Sequence, residues 1–67
     1  MVISIEKCEP GDLIKFSEYD EISLVLRKER GFVVVLSAFS LRSTSKPYFV
    51  PEGWTVVFVQ RQNDGND

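Results

Sequence analysis

The residues with the most obvious chemistry are three cations within four positions: Arg27, Lys28 and Arg30, just ahead of Gly31 in "RKERGF". Guanidinium and ammonium groups gathered at a turn suit a phosphate or the carboxylates of another protein. The plainer reading is a charged turn that stays wet. Arg42 and Lys46 lie in the next polar stretch and extend the set. Tyr48 and Trp54 follow, with faces on which bases could stack. Arg27, Lys28, Arg30, Arg42, Lys46, Tyr48 and Trp54 therefore form the candidate nucleic-acid set. Against it stands the overall charge of −2. The first third, residues 1–22, carries −4, and its carboxylates would oppose a long polyanion.

Acid–base and nucleophilic chemistry find little here. Glu9, Asp12, Asp20 and Glu21 are the carboxylates that could pair, but all sit in turn-like sequence and no histidine accompanies them. They read as solvated turn residues. Cys8 is the one cysteine, with no histidine to activate it and no second cysteine for a disulfide or a shared zinc ion. It reads as a small buried apolar residue. "NDGND" near the end lacks the spaced ligands and closing glutamate of a calcium loop. No glycine-rich phosphate loop is present, and a chain of 67 residues rarely encloses a large ligand pocket. Enzyme is the least favoured class; no metal, cofactor or small-molecule ligand is expected.

The elements that would position these groups read as strands. "VISI" at 2–5 alternates, and "CEPGD" at 8–12 turns through Pro10 and Gly11. "LIKF" at 13–16 and "ISLVLRK" at 22–28 flank the polar "SEYDE". "KERG" makes the next turn, where Gly31 is free to take a positive φ. "FVVVLSAF" at 32–39 is β-branched and aromatic throughout. "YFV" at 48–50 is extended ahead of Pro51, and "WTVVFVQ" at 54–60 closes the series. "SAFSLRS" at 38–43 has room for one short helical turn. Residues 1–60 read as one domain and 61–67 as a polar, disordered tail. Without a leader, a long apolar run or paired cysteines, the expectation is a soluble protein of the cytoplasm, of a cell or of an infected host.

Five short antiparallel strands with tight turns imply a small all-β barrel, since closure removes unpaired edges. "PGDLIKF", "ISLVL", "GFVVVLSAF" and "TVVFV" together resemble the SH3-like barrels, and in particular the small ones encoded by tailed phages. Ser23 stands where such barrels often carry a glycine. The resemblance spans about residues 9–60 and implies a fold rather than a chemistry.

Two readings remain for the run at 32–39. A sharply bent strand could feed both faces into the interior. Alternatively Val33, Val35 and Phe39 form an exposed patch, covered by a partner or by a second copy in a homodimer. "VPEGW" offers a further surface: Pro51 and Trp54, with Tyr48 and Tyr19, could form an aromatic groove for a proline-rich or extended peptide. The expected function is thus a non-catalytic protein-interaction module, a phage-type accessory protein binding another protein or itself. Its candidate interaction residues are Arg27, Lys28, Arg30, Val33, Val35 and Phe39. The alternatives are the nucleic-acid-binding barrel above and a structural subunit of a larger particle.

Overall fold

The computed structural model describes residues 1–37 and 46–61. The described residues are all-β apart from one short 3₁₀ turn. Strands β1 (Val2–Ser4), β2 (Asp12–Lys15), β3 (Ser23–Glu29), β4 (Phe32–Ser37), β5 (Tyr48–Pro51) and β6 (Thr55–Arg61) form one antiparallel sheet in the order β1-β6-β2-β3-β4-β5. The sheet curls into a half-barrel, with β1 and β5 at the two ends of the order. Six strands among the described residues replace the five expected, because "VISI" and "YFV" each contribute a short strand of their own. The 3₁₀ turn lies at Ile5–Lys7, where the alternation of "VISI" breaks off. The helical turn expected at 38–43 falls outside the described residues.

Two bulges curl the sheet. Register shifts between Val25 and Arg27 against β4, leaving Leu26 as the extra residue. It shifts again between Leu13 and Ile14 against β6, leaving Val59 over. An extra residue on one strand bends it and increases local twist. The β3–β4 hairpin turns through Arg30 and Gly31. Gly31 takes φ +90°, which a residue with a Cβ adopts only under strain.

The curl wraps a core of Ile5, Cys8, Ile14, Val25, Val33, Val35, Val50 and Val56, with Ile3 and Phe16 packed against it. This corrects the expected surface patch. Val33 and Val35 are 1% and 0% exposed and face the interior, so no partner can reach them. Phe39, its third member, lies outside the described residues. β4 is paired on both sides, to β3 and to β5, which makes it a central strand. Val34 points to the opposite face and is also fully buried, opposite Arg27 on β3 and Phe49 on β5. The unbroken apolar run is therefore a strand covered on both faces.

Arg61 is the last residue of β6, not the first of a tail. Its partner is Asp12, which is fully buried rather than solvated. Arg61 Nε and Nη2 donate to Asp12 Oδ1 and Oδ2 at 2.9 and 3.1 Å, and the Glu9 N–H donates to Oδ2 at 2.8 Å. Burial pushes the Asp12 carboxyl up, but the Arg61 hydrogen bonds, the Glu9 N–H and the Arg61 charge outweigh it and hold the carboxyl below its ordinary value. One side chain thus ties the 9–12 turn to the end of the final strand. Cys8 is buried beside it, its thiol pushed up by burial and by the Asp12 charge.

Candidate interaction site

The basic tip is more neutral than its sequence. Arg27 Nε donates to Glu29 Oε2 at 2.6 Å, two residues along the same strand. Lys28 Nζ lies 3.6 Å from Glu9 Oε2. Arg30 is the one cation of the three without an ion pair among the described residues. Lys46 is exposed, and Arg42 lies outside the described residues. The tip abuts the β5–β6 turn, where the Glu52 N–H donates to the Gly31 carbonyl at 3.1 Å.

The aromatic residues gather instead. Phe16, Tyr48, Phe49, Val50, Pro51 and Trp54 line a cleft of about 330 Å³. Tyr48, Phe49 and Trp54 are each more than half exposed. These rings therefore lie at the surface and not in the core. Three elements build the cleft. Phe16 follows β2 and packs on the core. Tyr48 to Pro51 are the edge strand β5, with Tyr48 and Val50 on the interior-facing side and Phe49 on the other, through its ring contact with Phe32 at 5.5 Å. Trp54 closes the β5–β6 turn and meets the edge of Phe16 at 6.5 Å and 88°.

The 3₁₀ turn fixes Trp54 from behind. The Ile5 N–H donates to the Trp54 carbonyl at 2.7 Å, and the Gly53 N–H donates to Glu6 Oε1 at 2.9 Å. That hydrogen bond to Gly53 is the main reason the Glu6 carboxyl sits below its ordinary value. Gly53 takes φ +100°, a conformation that aims its N–H at Glu6 and turns the chain toward Trp54.

Of the groove residues named from sequence, Pro51, Trp54 and Tyr48 come together in this cleft, while Tyr19 does not line it and stands 96% exposed. Phe16 was missed as a site residue. It alternates with Ile14 in "LIKF", a core-facing pattern, and nothing local reveals that it sits where the core meets the surface. A second apolar cleft, about 280 Å³, opens between Met1, Ile3, Phe58 and Arg61. Its cation is already engaged, held by Asp12 and lying 5.7 Å over the Phe58 ring. No helix among the described residues is long and apolar enough to cross a membrane.

Comparison with family models, with curated proteins and with solved structures returned no match.

Proposed function

We propose that this chain is a non-catalytic protein-interaction module that docks an extended, proline-containing segment of another protein in the Phe16–Tyr48–Trp54 cleft. One observation carries this: three half-exposed rings and a proline share a single cleft. Ring faces and a rigid proline suit a ligand that is itself stiff and apolar, and polyproline II segments dock on such surfaces. The sizes agree. β5 from Tyr48 to Pro51 spans about 10 Å at ~3.3 Å per residue, close to one three-residue turn of polyproline II at ~3.1 Å per residue. An SH3-like accessory protein of the cytoplasm, of phage type, is the setting in which we place this activity.

The reading is tested by titrating a capped proline-rich pentapeptide while following Trp54, the single tryptophan. A saturable change in its emission is expected, weakened about five- to tenfold by Tyr48→Ala, a contact worth roughly 1 kcal/mol or more. An unchanged spectrum up to millimolar peptide would remove the reading. A concentration-dependent dimer abolished by Tyr48→Ala would assign the cleft to a second copy instead.

A further inference from the structure

Among the described residues the sheet is open, and its two end strands are β1 and β5. An end strand turns every second N–H and C=O outward, where a strand of another chain can pair with them. β1 is only three residues and runs directly into the 3₁₀ turn, which keeps that edge short. β5 is guarded differently. The Glu52 N–H donates to the Gly31 carbonyl, which fixes the alternation of the β4–β5 ladder. Counting back from that pair, Val50 exchanges hydrogen bonds with Val33 and Tyr48 with Val35, and Phe49 and Pro51 stand at the positions between. The backbone of Phe49 and Pro51 therefore points to the free edge. Pro51 has no N–H to offer there. Pro47, just ahead of the strand, falls on the same parity and has none either. Along "PYFVP" the outward edge holds one donor, the Phe49 N–H, with a proline two positions to each side. Both prolines are exposed, so neither is there to fill the core.

We infer that Pro47 and Pro51 close this edge to strand addition and so determine how the docked segment binds, an inference that rests on the docking reading above. A strand pairing with β5 needs a donor at every second position, and with one donor left the ladder cannot extend past Phe49. The ring carbon on each proline nitrogen also stands where the hydrogen of an N–H would, in the path of a strand ~4.8 Å away. The segment is thus read through its side chains. It lies across the rings of Tyr48 and Trp54 and takes no ladder hydrogen bonds from β5. That selects a polyproline II chain, whose backbone needs no partner strand, over a β-forming one. The same closure keeps a second copy from adding its own strand to this edge.

The experiment uses the intact chain with two capped pentapeptides, one all proline and one alternating valine and threonine. Trp54 emission reports docking, and hydrogen exchange of the Phe49 amide reports strand addition. The proline peptide is expected to change Trp54 emission saturably and to leave Phe49 exchange within about twofold of the free chain, whereas a ladder bond would slow it about tenfold or more. The valine–threonine peptide is expected to move neither at millimolar concentration. In the double variant Pro47→Thr, Pro51→Val the edge regains two donors, and the chain should associate with rising concentration in sedimentation, with the Phe49 amide protected. Slowed Phe49 exchange in the parent chain with either peptide, equal Trp54 changes from both peptides, or a folded double variant that stays monomeric and unprotected, overturns the inference. If the double variant does not fold, Phe49 exchange in the parent chain decides alone. If neither peptide moves Trp54 while the double variant associates, the docking reading falls and the closed edge stands.

Discussion

Ile5 and Trp54 are 49 positions apart, yet the Ile5 N–H donates to the Trp54 carbonyl at 2.7 Å, and Glu6 holds the neighbouring Gly53 N–H. The first turn of the chain thereby sets the wall of the cleft. Glu6→Ala removes the side-chain half of this latch and leaves the backbone half. The fold is expected to persist, while acrylamide quenches Trp54 more readily and the pentapeptide binds about two- to threefold more weakly, the scale of one exposed hydrogen bond. Quenching and affinity equal to the parent chain would show that the latch positions nothing.

Asp12 provides the pH dependence. Its folded carboxyl is held below the unfolded value of about 3.9, so the unfolded chain takes up the proton first. The stabilisation is therefore fully present above that unfolded value and is lost as pH falls through the folded one. Urea midpoints should be flat from neutral pH down to about 5 and fall steeply below about 4. Asp12→Ala should destabilise by about 2–3 kcal/mol, the scale of buried hydrogen bonds to a charged group, and flatten the acid limb. An unchanged acid limb in that variant would place the acid sensitivity elsewhere.

Val35 and Arg30 make a contrast within one hairpin. Val35 is fully buried and Arg30 exposed. Val35→Ala should destabilise by about 1–3 kcal/mol through the cavity it leaves. Arg30→Glu should stay within about 0.5 kcal/mol. Thermal unfolding of the two variants checks both; a harmless Val35→Ala would return Val35 to the surface.

This contrast also marks what could be read from sequence. The all-β class followed from β-branched runs between Pro-Gly, Arg-Gly and Glu-Gly turns, and Gly31 does take the positive φ assigned to it. Which face of β4 points inward could not be read, because Phe32 to Leu36 are apolar in both parities. Leu26 shifts the register of β3 against β4, and Val59 that of β6 against β2, and no local signal marks a bulge. Asp12 looked like an ordinary turn residue because its partner lies 49 positions away. The groove was half legible: Pro51 and Trp54 belong to one turn, and Tyr48 is near in sequence, whereas Phe16 arrives only through the β2–β6 pairing.

The nucleic-acid alternative makes its own prediction. With Arg27 paired to Glu29 and Lys28 to Glu9, the tip offers little unneutralised charge. Titration with single-stranded DNA or RNA at low salt should leave Trp54 emission flat. Saturable binding that weakens steeply with added salt would instead put phosphate contacts at this surface.

The central claim is that the Phe16–Tyr48–Trp54 cleft is where a proline-containing segment docks. Backbone amide chemical shifts recorded on the intact chain with the proline-rich pentapeptide test it most directly. The expected result is saturable shifts concentrated on Phe16, Tyr48 to Val50, Gly53 and Trp54, with the β3–β4 tip unmoved. Shifts confined to the tip or to the Met1–Phe58 cleft, or none at millimolar peptide, would contradict it.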